Sequence, residues 1–184
     1  MAHFLKNLPD NKAFYRKISG DHEVIILQIL HKANIQNFLE LGIYKGDCIC
    51  KAKQFIPNCV GVDIIDHIGP NKNFTFIKST TDEFFLSNTS KFDAIFIDAD
   101  HKIESAIKDL ENSLKILNYN GIIFMHDTDP VCKELVNPGY CGDSYGINKY
   151  IYENHPELDI ITLPVTEAGL TIIKRKNENR STNY

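Results

Sequence analysis

Apolar residues follow two alternating rhythms along this chain, short β-rich runs and stretches spaced by three or four positions, and that alternation predicts an α/β fold. Val24, Ile25, Leu27 and Ile29 lie in a helix-like stretch opening at Asp21, a residue suited to an N-cap. Residues 37–41 then read as a first strand ending at Gly42, 45–54 as a helix, and 58–63, 74–77 and 92–98 as three further strands, short and apolar as buried parallel strands are. The strongest helical pattern comes next, with Ile103, Ala106, Ile107, Leu110, Leu114 and Leu117 on one stripe, ending between Asn118 and Gly121. Residues 121–125 predict a fifth strand, 128–143 a long loop and 147–153 a helix. Residues 158–163 and 170–173, joined around Glu167 to Gly169, predict a hairpin, so the expected architecture is a mostly parallel seven-stranded sheet with a C-terminal antiparallel hairpin.

Composition narrows the class of function. A chain of 184 residues with 43% hydrophobic content is the size of one domain with a full core, here an N-terminal helical segment (1–34), a core (35–174) and a tail (175–184). The formal charge of -4, with no basic cluster beyond Lys174, Arg175 and Lys176, argues against nucleic acid as a partner. Neither a signal-peptide core of about 7 to 15 apolar residues nor a span of about 18 is present, so no membrane partner and a cytoplasmic location are expected. Cys48, Cys50, Cys59, Cys132 and Cys141 are odd in number and irregular in spacing, which fits free thiols.

Candidate chemistry gathers at the predicted strand ends. Glu40, Gly42 and Gly46 form an E-x-G-x-x-x-G turn between strand and helix, and Asp63 closes the second strand, where an acid accepts both hydroxyls of a ribose. The turn lacks the second glycine of the dinucleotide fingerprint, and an acid ahead of it suits a cationic ligand better than a diphosphate. The same glycines also serve a tight turn with no ligand. Asp98, Asp100 and His101 follow strand four, and His126, Asp127 and Thr128 follow strand five, so carboxylates from neighbouring strands meet at one rim. Such oxygens are ligands for a hard cation such as Mg²⁺. A histidine beside them, with an ordinary pKa near 6.5, is a candidate base. Helix capping competes for Asp100, for Thr81 and Asp82 after strand three, and for Asp143 after the long loop. His126 is expected to hold structure by hydrogen bonding, and His3, His22, His31, His67 and His155 to lie at the surface.

Together these segments resemble the class I S-adenosylmethionine-dependent methyltransferases over residues 35–174, and the 98–101 and 126–128 segments are similar to the metal-dependent O-methyltransferases of the catechol, caffeoyl-coenzyme A and macrolide-sugar types. The resemblance implies a Rossmann-like methyltransferase fold. It implies that Glu40, Gly42 and Gly46 line the methionine end of the cofactor, that Asp63 holds its ribose and that Thr81 and Asp82 reach its adenine. It further implies Asp98 as a cofactor contact and, with Asp127, as an Mg²⁺ ligand, with Thr128 in the third position where the catechol type has asparagine, and His101, with Asp98, as the catalytic set in place of a lysine base. The expected reaction is methylation of a small hydroxylated acceptor, a sugar or phenol, in a possible homodimer. A silent methyltransferase-fold binding protein and, with less support from the glycine pattern, an NAD-dependent oxidoreductase are the rival readings.

Overall fold

The computed structural model describes residues 21–70, 72–165 and 167–177; the expectations for 1–20, His3 and 178–184 lie outside these. Helix α1 (Asp21–Lys32) leads into β1 (Asn37–Leu41), α2 (Asp47–Ala52), β2 (Asn58–Asp63), β3 (Thr75–Lys78), α3 (Thr81–Ser87), β4 (Phe92–Ile97), α4 (Ile103–Ile116) and β5 (Leu117–His126). After the loop come α5 (Ile147–Asn154), β6 (Leu158–Leu163) and β7 (Leu170–Arg175). The strands form one sheet in the order β3-β2-β1-β4-β5-β7-β6, parallel from β3 to β5, with β7 inserted antiparallel between β5 and β6. No described helix is long and apolar enough to cross a membrane.

Period-two alternation along each strand sends apolar side chains to both faces. Leu39, Leu41, Ile95, Ile97, Ile123 and Met125 pack beneath α3, α4 and α5. Phe38, Ala94, Phe96 and Phe124 meet Ile26 and Leu30 of α1 and Ile49 and Ala52 of α2 on the other face. Both faces being covered explains why the strand segments are almost continuously apolar.

Two boundaries differ from expectation. Leu117 lies in the phase of the α4 stripe, yet it pairs with Phe92 as the start of β5, while Ile122 pairs with Ala94, so residues 118–121 form an irregularity inside a ten-residue strand. Helix α3 is capped by Thr80 rather than by Thr81 or Asp82: Glu83 N donates to Thr80 Oγ1 at 3.2 Å and Thr80 N donates to Glu83 Oε2 at 3.2 Å, a reciprocal capping box. The basic run also has structural work. Arg175 donates to the carbonyls of Asn118 and Leu114, and Lys176 to that of Pro156.

Candidate active site

The carboxyl ends of the parallel strands open onto a cavity of about 930 Å³, at the upper end of the roughly 300 to 1,000 Å³ of small-molecule sites. Gly42 is where β1 turns out of the sheet. Its φ is +80°, and a Cβ there would stand 2.0 Å from the Asp98 carbonyl oxygen, so only glycine allows the ends of β1 and β4 to touch. Asp63 accepts hydrogen bonds from Tyr44 N at 2.9 Å and Ile65 N at 3.0 Å, which tie the β1 and β2 loops together and aim its carboxylate at the cavity. Thr81 and Asp82 line the same end, with Asp82 3.6 Å from Lys108 Nζ. The Thr81 hydroxyl binds the buried Asp109, whose carboxyl is pushed up to about 6 by that burial.

Two residues of the turn lie elsewhere. Glu40 points to the α2 face, as alternation in β1 requires, is 3% exposed, and leaves Oε2 without a hydrogen-bond partner among the described residues. Burial, reinforced by Asp98, holds its carboxyl well above the usual range, and it lies enclosed beneath the turn, absent from the cavity lining. Gly46 starts α2 in the left-handed region at φ +74° and packs on Ile68, again off the lining.

At the other end Asp98, His101 and Asp127 converge, with one ligand atom from each lying within 4.8 Å of the others. His101 Nε2 is 3.1 Å from Asp127 Oδ2 and 4.0 Å from Asp98 Oδ1. Its Nδ1 bonds the Tyr140 carbonyl, which can only accept, so Nδ1 carries a proton and Nε2 is the nitrogen turned to the two carboxylates. Asp127 reaches this position with φ +60°, a left-handed turn at the end of β5. Thr128, expected as the third ligand, is a correction: it is 3% exposed, its hydroxyl binds Thr171 Oγ1 at 2.9 Å and its carbonyl accepts from Asn148 at 2.9 Å, so it is held by β7 and α5 away from the cavity.

Sequence reasoning missed His22 behind this edge, while His126 holds the structural place expected of it. His126 Nδ1 lies 3.4 Å from Asp98 Oδ1 and 3.3 Å from Asp127 Oδ1. Burial would depress its pKa, but Asp98 and then Asp127 outweigh it and hold it above the ordinary value. Asp98 responds in the opposite sense: enclosure would raise it, while His126, His101 and His22 keep it low. His22, expected at the surface, lines the cavity and stacks on His126 with ring centroids 4.2 Å apart; burial, with His126 beside it, lowers its pKa to about 4. His67 packs against Tyr44 at the adenosine end, and His155, also expected outside, bridges Glu111 and Glu157. Asp143 caps not its own turn but α4, accepting from Ile103 N at 2.8 Å, and Asp100 accepts from Ser105 Oγ instead of capping a helix.

A family model described as a methyltransferase domain matches residues 24–128, more than half of the chain. The chain belongs to this methyltransferase family. No curated protein sequence matches. Among solved structures, the methyltransferase's fold is shared with a Podospora anserina methyltransferase bound to SAH (18% identity, 96% of this chain and 93% of that one, TM-score 0.66). It is shared equally with an O-methyltransferase from Bacillus cereus in complex with SAH (16%, 95% and 87%, 0.66) and with the N-methyltransferase NodS from Bradyrhizobium japonicum (13%, 91% and 99%, 0.67). An oxygen and a nitrogen methyltransferase thus lie at similar distance, so the acceptor atom has to be argued from the site. The class I fold and the dependence on S-adenosylmethionine follow from family and sheet order together.

Proposed function

We propose that this methyltransferase transfers a methyl group to a hydroxyl of a small acceptor, with a divalent cation assisting. The observation that carries the reading is the meeting of Asp98, His101 and Asp127 at the end of the cavity opposite Asp63. A neutral amine attacks a methyl donor with its own lone pair, whereas a hydroxyl is a poor nucleophile until its proton is withdrawn. An edge of two carboxylates and an imidazole lone pair is the equipment a hydroxyl needs.

The residues present fit both partners. Gly42 lets backbone form the wall, Asp63 has carboxylate oxygens facing the cavity for ribose hydroxyls, and Ile65 and Tyr44 offer apolar surface beside it. S-adenosylmethionine supplies, when bound, an electrophilic methyl carbon on a sulfonium. Asp98 and Asp127, with His101, have the donor chemistry to hold a divalent cation, which supplies Lewis acidity toward an acceptor oxygen. The chain's own contribution is then positioning. Gly42 and Asp98 touch, so the walls for donor and acceptor are fixed relative to one another, and alignment of oxygen, carbon and sulfur is where most of the rate arises.

Calorimetric titration with S-adenosylmethionine and SAH, with and without Mg²⁺, tests the cofactor. Release of SAH in the presence of hydroxylated sugars and catechol-like phenols tests the acceptor. Micromolar binding and SAH release with an alcohol or phenol but not with the matched amine is the expected result; absence of binding, or turnover on amines alone, would overturn the reading.

A further inference from the structure

The histidine of this edge has a setting that a proton shuttle does not need. We propose that His101 Nε2, together with Asp98 and Asp127, forms a one-nitrogen, two-oxygen site for a first-row transition dication such as Mn²⁺, Co²⁺ or Zn²⁺, taken in preference to Mg²⁺. This rests on the cation-assisted reading above and names the ion class and the third ligand.

Four observations carry it. The ring is oriented by Nδ1–H on the Tyr140 carbonyl, which leaves Nε2 as the nitrogen turned to the two carboxylates. A metal-bound imidazole typically holds its other N–H on a backbone carbonyl or carboxylate in this way. The spacings also match. Donors bound at about 2.1 Å to an octahedral ion lie roughly 3.0 Å apart when adjacent and 4.2 Å when opposite, and Nε2 is 3.1 Å from Asp127 Oδ2 and 4.0 Å from Asp98 Oδ1.

Third, the oxygen expected from β5 is not on offer, because Thr128 spends its hydroxyl on Thr171. Fourth, the chain is built around His101 from behind. Its carbonyl accepts from Asp143 N at 3.1 Å and Ser144 N at 3.2 Å, and Gly142, at φ +54°, sits where a Cβ would be 2.1 Å from that same carbonyl. A side chain 36% exposed is thereby pinned at both ring and backbone. Imidazole nitrogen favours Mn²⁺ through Zn²⁺ over the oxygen-seeking Mg²⁺.

The test uses the whole protein, stripped of metal and titrated with Mg²⁺, Mn²⁺ and Co²⁺ by calorimetry. Pulsed electron paramagnetic resonance of the Mn²⁺-loaded protein then reports directly bound nitrogen. Affinity rising from Mg²⁺ to Mn²⁺ to Co²⁺ is expected, with modulation from one imidazole nitrogen. His101→Asn should abolish that modulation and weaken Co²⁺ by about 10- to 100-fold, a larger loss than for Mg²⁺. A thermal melt matching wild type shows that the variant is folded. Tighter binding of Mg²⁺ than Co²⁺, no nitrogen modulation in wild type, or modulation persisting in His101→Asn would overturn the assignment and leave cation assistance standing. If no dication binds while SAH still does, both the cation reading and this one fall, and the methyltransferase assignment remains.

Discussion

Strand β4 carries an aspartate at each end, and the two are neutralised in different ways. Asp93, at its start, receives the backbone amides of Gln36 and Asn37 at 3.1 and 2.9 Å and the side-chain amides of Asn37 and Asn118 at 3.1 and 2.6 Å. Burial alone would raise its pKa, but Asn118 and the other donors hold it below the usual range. Asp98, five residues on and just past the other end, faces three imidazoles instead. Amide donors cannot give up their protons near neutral pH, whereas imidazoles exchange theirs and bind metals. One end of the strand is tied down and the other is left chemically available.

Substitutions sharpen this contrast. The largest effect is expected at the open end: Asp98→Ala or Asp127→Ala should lower kcat by at least about 100-fold with SAH affinity little changed, measured by turnover and calorimetry. Next is Gly42→Ala. Its Cβ would fall on the Asp98 carbonyl at a positive φ, so a loss of about 2 to 3 kcal/mol in stability and weaker SAH binding are expected in denaturant melts and titration. At the closed end, Asp93→Ala should cost about 2 kcal/mol of stability while kcat is kept; loss of activity in the folded variant would erase the distinction between the two ends.

The smallest effect concerns a fully satisfied cluster off the cavity lining, where His155 bridges Glu111 and Glu157 at 2.7 and 2.8 Å and Tyr150 donates to Glu111. Burial would lower His155, but Glu157 and Glu111 hold its pKa above 6.5, so its contribution is complete below pH 6.5 and fades as pH rises through the folded value. Glu111, which burial would raise but Tyr150 and His155 lower, and Glu157, lowered by His155, contribute above pH 4.5 and lose it as pH falls. Between pH 4.5 and 6.5 all three act together. The unfolding free-energy difference between wild type and His155→Gln in denaturant melts should be larger at pH 5.5 than at pH 8.5, by less than about 1 kcal/mol because Glu157 is largely exposed.

Sheet and helices were legible because each strand is a short apolar run and α4 keeps a clean stripe. The start of β5 was not, since Leu117 fits the helical phase and only its pairing with Phe92 across the sheet overrides that. At the site, Gly42, Asp63, Asp98 and Asp127 could be read from strand ends. Thr128 misled because it follows Asp127 directly, and the left-handed turn the chain takes at Asp127 has no signal in the sequence. The settings of His22 and His101 had no local signal. Their partners, His126 and the Tyr140 carbonyl, are distant in sequence and reach them only once the sheet is assembled.

The touch between Gly42 and the Asp98 carbonyl has a mechanical side. It welds the lips of two adjacent strands into one rigid piece, so the distance from the wall proposed for the nucleoside to the corner proposed for the ion is a fixed gauge of the protein. A bisubstrate inhibitor joining a nucleoside to a chelating head through a stiff linker would be selected by that gauge. Re-engineering of acceptor choice belongs in residues 129–139, with Tyr140, Gly142 and Asp143 kept because they hold His101 in place.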